Sequence, residues 1–360
     1  MILPILNGRR PERPATAQLS DGIWSIVRKC WSKQPRERPD IAEVLIALNS
    51  DKDTPARVLR SWDHVAHGEG VELLSQYKST STTDTNLLHV AISRLRDALA
   101  FCPVNHPERY CSLYYLANAF EHLFVKTNRS KDLEEAIALY TESVNLLPDG
   151  HYFRHDALYG LGRVLRLQYQ QERDEDTLSD ALIHLREAHT CCPPEYKNAS
   201  YLVEELALAL RDFFFASGSA MYIKEAERFA RMVLAMRPEG SQNRDSALVL
   251  LGSTTFLLRT RGGPKNAGSL DLAISSLKDA LALRPNGHPQ RYEVLAYLGA
   301  TMQHKQHDES MLRESLSYLR QAFTLFPKNH EENDAVANSI MHALRQTVEP
   351  ALLEEATRPE

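Results

Sequence analysis

Four polar side chains recur at matched places in the chain. Asn118 and Arg163 stand fifteen residues beyond Pro103 and Pro148, and Arg166 and Arg211 stand eighteen beyond Pro148 and Pro193. A guanidinium fork suits a carboxylate, so a row of them on neighbouring elements could hold an acidic side chain or the C-terminus of a peptide. Two other patterns invite chemistry and lead elsewhere. His106, His151, His288 and His330 each stand three residues after a proline. One imidazole per repeated unit puts neighbours about 20 Å apart, too far to share an ion at ~2 Å bonds. They are expected to cap the helix that follows or to bond a loop carbonyl. Gly263-Pro264-Lys265-Asn266-Ala267-Gly268-Ser269 nearly spells a phosphate-binding loop. It lacks the lysine before its final serine, and no strand precedes it, so it is expected to be a loop insertion. No metal and no cofactor is expected.

The elements that must position these residues are marked by prolines. Pro103, Pro148, Pro193, Pro238, Pro285 and Pro327 are separated by 45, 45, 45, 47 and 42 residues. Self-similarity at such a period signals a repeat architecture, in which each unit stacks on its neighbours. Twelve residues before each proline stand Ala91, Ala136, Ala181, Ala226, Ala273 and Ser315. Eight before stand Leu95, Tyr140, Leu185, Ala230, Leu277 and Leu319, and fifteen before stand Leu88, Leu133, Leu178, Ile223, Leu270 and Leu312. Offsets of 15, 12 and 8 trace one face of an α-helix. Proline ends that helix, having no amide donor and restricting the residue before it.

A second helix is predicted after each proline. Thirteen residues beyond stand Leu116, Leu161, Leu206, Leu251, Leu298 and Ile340. Fourteen beyond stand Ala117, Gly162, Ala207, Gly252, Gly299 and Met341. A glycine inside a helix costs ~1 kcal/mol against alanine, so these need a packing reason. The unit is read as an antiparallel helix pair straddling the proline, with a seam of small residues.

This seam and the Ala…Ala…Pro helix resemble tetratricopeptide (TPR) repeats. The departure is one of length, about eleven residues more than the usual TPR period of 34. The extra residues are expected in a longer first helix and in inter-helix loops such as Thr127–Lys131. Asn286-Gly287-His288-Pro289-Gln290-Arg291 and the run DLEEAI are similar to long fungal TPR arrays, which often precede a caspase-like CHAT protease domain. The resemblance implies an all-α, right-handed TPR-like solenoid of about twelve helices over residues 86–348, with a tail at 349–360. It also implies a concave groove for a peptide, lined by Asn118, Arg163, Arg166 and Arg211.

Composition sets the outer bounds. Hydrophobic residues make up 43% and charged residues 25%, ordinary globular values. The net charge of −5 leaves no footprint for nucleic acid. No apolar run is long enough for a membrane span, and the N-terminus meets charge and proline too early for a signal peptide. The five cysteines are an odd number without a Cys-x-x-Cys, which implies a reducing, cytoplasmic setting. Cys102, Cys191 and Cys192 fall where other repeats hold leucine, so they are expected to fill the core.

Residues 1–49 follow a different pattern. Ser20 or Asp21 can cap a helix running to Trp31, and Pro39 suits the first turn of another. Gly8, Arg9, Pro11, Trp24, Cys30, Trp31, Pro35, Arg38 and Pro39 resemble the last subdomains of tyrosine-kinase-like protein kinases. A kinase needs a Gly-rich loop, a strand lysine, a catalytic aspartate and a metal-binding aspartate, none of which this segment contains. Asn243-Arg244-Asp245 falls where other repeats show Arg109-Tyr110-Cys111 and Arg291-Tyr292-Glu293, so it is repeat texture. The stretch 50–85 is expected to be a polar linker, with a short helix interrupted at Gly68 and Gly70.

The expected function is a non-enzymatic scaffold or adaptor that binds a protein or peptide partner, with no nucleic acid, no membrane and an unspecified oligomeric state. Two alternatives stand beside it: a fragment of a kinase-TPR signalling protein, and the sensor arm of a TPR-CHAT effector without its protease.

Overall fold

The computed structural model describes residues 21–30, 32, 38–39, 56–80, 85–102, 106–261, 269–305 and 309–325. Its elements are helices: α1 (Asp21–Cys30), α2 (Ala56–Ser79), α3 (Asn86–Phe101), α4 (Arg109–Thr127), α5 (Ser130–Leu146), α6 (Arg154–Glu172), α7 (Glu175–Cys191), α8 (Ala199–Ser217), α9 (Ala220–Met236), α10 (Arg244–Arg261), α11 (Leu270–Leu283), α12 (Arg291–Lys305) and α13 (Glu309–Leu325). No strand occurs among the described residues. The chain divides into two compact units, Met1–Leu147 and Pro148–Glu360. Each is an all-α, TPR-like succession of helical hairpins, as the spacing predicts. The second helix of the N-terminal segment, Pro327, the helix expected after it and the tail lie outside the described residues.

The hairpins are phased differently from the expected pairs. The close seams in the first unit join α2 to α3 and α4 to α5, and in the second α6 to α7, α8 to α9, α10 to α11 and α12 to α13. Each hairpin therefore runs from one proline to the next. The reason lies in the small residues. A Cβ on Gly162 would lie 2.6 Å from Leu185 Cγ and 3.1 Å from the Ala181 carbonyl. Gly252 meets Leu277 and Ala273 in the same way, and Gly299 meets Leu319 and Ser315. The glycine of the post-proline helix thus seats on the leucine and small residue that precede the next proline. Where that leucine is Tyr140 or Ala230 instead, the opposing position holds Ala117 or Ala207, all four fully or almost fully buried.

The same geometry corrects the linker expected at 50–85. Helix α2 fills most of that stretch and runs through both glycines. Gly70 sits on Leu95 and the Ala91 carbonyl as its counterparts do, and Ala66, Leu74 and Tyr77 are buried. The array therefore starts one helix earlier than the prolines mark. Loop lengths differ from expectation too. Only Asn128 and Arg129 separate α4 from α5, with Asn128 closing α4 in the left-handed region at φ 53°. The extra length of the repeat lies in helices of 19 and 17 residues.

Short polar contacts start the helices. Asp174 accepts the Thr177 amide at 3.0 Å, and Ser269, last residue of the loop-insertion motif, accepts that of Leu272 at 3.4 Å. His106, His151 and His288 each accept, at Nδ1, the amide two residues on, at 3.2 Å in every case. They close the turn before a helix by accepting an amide, rather than capping the helix itself or bonding a loop carbonyl. The five cysteines are free thiols. Cys102 is buried, but Cys191 is exposed, in a register where Leu146, Met236 and Leu283 also face water. That corrects its expected core role.

Candidate functional site

The four sequence-marked residues all lie on post-proline helices. Asn118, on α4, belongs to the first unit and is buried. Its Nδ2 donates to the Tyr140 hydroxyl at 3.2 Å, which donates to Glu121 Oε2 at 3.2 Å. Asn118 Oδ1 has no hydrogen-bond partner among the described residues. In the second unit Arg166 is buried on α6. Its Nε donates to Glu205 Oε1 at 2.5 Å and its Nη1 to Asp212 Oδ2 at 3.0 Å. Both acids come from α8. Burial alone would lower the affinity of Arg166 for its proton; Glu205 and Asp212 reverse that and hold the guanidinium firmly charged.

Arg211 follows on α8 and is half-buried. Burial again opposes its charge, and Tyr297, Asp212 and Glu293 outweigh the opposition. Its Nε has no hydrogen-bond partner among the described residues. Arg163 lies over the Tyr159 ring, 5.1 Å from its centroid, with Nη1 3.4 Å from the hydroxyl. The fold thus gathers Arg166 and Arg211 about Asp212, holds Arg163 beside Tyr159, and places Asn118 in the other unit.

Sequence reasoning missed the acids that set the electrostatics here. Glu205 stands where Gly160 and Leu250 stand in other repeats. A carboxylate in a register otherwise held by Tyr115, Gly160, Leu250 and Tyr297, none of them charged, was the readable signal. It also missed Arg237 and Arg284, each one residue before a proline and only 3% and 2% exposed. Arg237 bonds Glu204 Oε2 at 2.7 Å and the Asn243 carbonyl at 3.0 Å, above the Tyr201 ring. Arg284 bonds Asp245 Oδ2 at 2.7 Å and the Gln290 carbonyl at 2.9 Å.

Arg109, Arg244 and Arg291 open their helices and donate back to carbonyls at the end of the preceding one: Leu99 and Cys102, Arg237, and Leu281 and Arg284. Such bonds satisfy the last carbonyls of a helix. Arg244, of the Asn-Arg-Asp sequence, is therefore a structural clamp. In the N-terminal segment, Trp24 is half-buried on α1 and Arg38 donates to the Ser32 carbonyl at 3.1 Å. Among the described residues no group of three or more His, Cys, Asp and Glu is placed to hold a metal, and no helix is long and apolar enough to cross a membrane.

No family model and no curated protein matches the chain. Solved structures do. A Podosopora anserina putative kinesin light chain with nearly identical TPR-like repeats matches at 17% identity over 61% of this chain and 96% of its own, with a TM-score of 0.43. A point-substituted form of that same protein matches over the same shares with a TM-score of 0.44. BtubC (BKLC) from P. vanneervenii matches at 13% identity over 76% of this chain and 96% of its own, with a TM-score of 0.39.

Proposed function

We propose that the chain is a cytoplasmic, non-enzymatic scaffold that binds a protein or peptide partner through its post-proline helices. One observation carries this reading. Arg211 stands in a register that recurs in every hairpin, half-buried and charged, with an Nε that no described residue accepts. A peptide carboxylate supplies that acceptor, in the charge-assisted geometry guanidinium favours. The prefolded helices present it without an ordering cost on binding. Arg163, on α6 of the same unit, contributes a second fork. Arg166 has a different share in the site: bound to Glu205 and Asp212, it sets the field around Arg211.

The test separates these roles. Partners are first identified by proximity labelling in the native cell and purified. Arg163→Gln with Arg211→Gln, which removes both charges without setting a new carboxylate against Asp212 and Glu293, is then expected to abolish their binding while the chain stays folded. Unaltered binding by a folded double variant would remove the site. Arg166→Glu is a poor probe, because it sets three carboxylates against one another in a buried place.

A further inference from the structure

A guanidinium clasp recurs in the second unit, and one repeat holds its acceptors without its arginine. Arg284 sends Nε to Asp245, seven residues beyond Pro238, and Nη2 to Ser246, eight beyond. Its Nη1 meets the Gln290 carbonyl, five beyond Pro285. Arg237 repeats the register: Nε to Ser200, Nη1 to the Asn243 carbonyl, and its plane over Tyr201. The slot is thus defined by an acceptor at plus seven, a partner at plus eight and a carbonyl at plus five.

In the repeat before, the residue ahead of the proline is Cys192, whose thiol is too short to cross the slot. The acceptor positions hold His155 and Asp156, and the carbonyl position holds Asn198. His155 is 3% exposed, and neither ring nitrogen has a hydrogen-bond partner among the described residues. Its Nε2 lies 3.5 Å from Asp156 Oδ2. No lysine or arginine pairs with Asp156 among the described residues. Its Oδ1 accepts the hydroxyl of Tyr196, whose ring meets His155 edge-on at 4.5 Å. Burial pushes the Asp156 carboxyl up, and Tyr196 and His155 only partly offset it. A half-buried acid without a cation, beside a buried imidazole without a donor, is the reverse image of a guanidinium.

We propose that this slot receives the arginine side chain of a partner protein. The fork would set one N–H on the His155 lone pair and a second on Asp156, displacing the Tyr196 hydroxyl, with the Asn198 carbonyl as third acceptor. Lysine, a point charge without the fork, fits the set poorly. The inference is independent of the Arg211 site.

The test is calorimetric titration of the full chain at pH 7.5 with capped Gly-Arg-Gly, capped Gly-Lys-Gly and agmatine. Saturable binding of the arginine peptide is expected, at least tenfold tighter than the lysine peptide. Asp156→Asn should weaken it at least tenfold. Tyr196→Phe, which frees the carboxylate, should tighten it several-fold. Cys192→Arg should fill the slot from within and abolish binding while raising the melting temperature. Three results would overturn the proposal: no saturable binding by the unaltered chain, equal binding of lysine, or unchanged binding by Asp156→Asn. Agmatine binding tighter than the peptide would overturn the assignment to a protein. If Asp156→Asn does not fold, the Tyr196→Phe and Cys192→Arg variants decide alone: failure of both to change binding overturns the proposal.

Discussion

Arg237 and Arg284 stand among the pre-proline residues that elsewhere are Cys102, Leu147 and Cys192. One position therefore alternates between an apolar filler and a buried cation, and that is why neither arginine was legible as structural from sequence. Their cost of removal should be large. Arg237→Ala leaves Glu204, itself mostly buried, without its cation, which costs about 3 kcal/mol or more. Arg186→Ala breaks only a half-exposed pair with Glu225 and should cost under about 1 kcal/mol. Urea unfolding of the two variants measures the contrast, and equal costs would contradict the burial argument. Asp174 offers a test of sign. Its bonds to the side chain and amide of Thr177 hold its carboxyl below the ordinary range. A carboxyl held low contributes stability above its unfolded pKa and loses it as pH falls through the folded one. Asp174→Ser keeps a cap without a charge, so it should match the unaltered chain least at neutral pH and lose less stability on acidification. A parallel loss in thermal scans from pH 7 to 3 would show that the cap does not depend on the carboxylate's charge.

At the scale of the element, the offsets around the prolines located the helices α3 to α13 and the faces they bury. They did not reveal which helix pairs with which, because a helix face shows only that something covers it. The pairing was encoded across the hairpin: glycine opposite Leu185, Leu277 and Leu319, alanine opposite Tyr140 and Ala230. Helix α2 was read only as a short helix within a linker, because no proline of the series precedes it in phase and Gly68 and Gly70 read as interruptions. Gly70 in fact repeats the contact of the other three glycines. Gly252→Ala should therefore destabilise by about 1–3 kcal/mol, despite alanine's better helix propensity, because its Cβ meets Leu277 Cγ at 2.6 Å. Adding Leu277→Ala imitates the Ala207–Ala230 pair, so the double variant should lose less than the sum of the single ones. Gly70→Ala should destabilise as Gly252→Ala does. A stabilising effect, expected of a solvated helix, would return residues 50–85 to a linker.

Across the whole molecule, the two units share one hairpin but divide its chemistry differently. The second carries Arg166, Arg211, Arg237 and Arg284 with their acids. The candidate site was legible only as a set of registers, since its partners lie 39 to 46 residues away in sequence. The second unit also carries the histidines that govern its response to acid. Burial pushes His184, His189 and His304 below the ordinary histidine range, with Arg228 adding to the effect at His189 and Arg261 at His304. At His184 Glu187 and Asp180 oppose burial without overcoming it. A base whose folded pKa is depressed binds its proton first in the unfolded chain. Its stabilising effect is complete above the unfolded pKa of ~6.5 and declines as pH falls from there toward the folded value. The melting temperature should consequently fall between pH 7.5 and 5, before most carboxylates titrate. Replacing all three histidines by glutamine should flatten that slope. A slope that survives the triple replacement would place the acid response in the carboxylates, with Asp156 excluded from them, since a carboxyl raised by burial gains rather than loses stability on acidification.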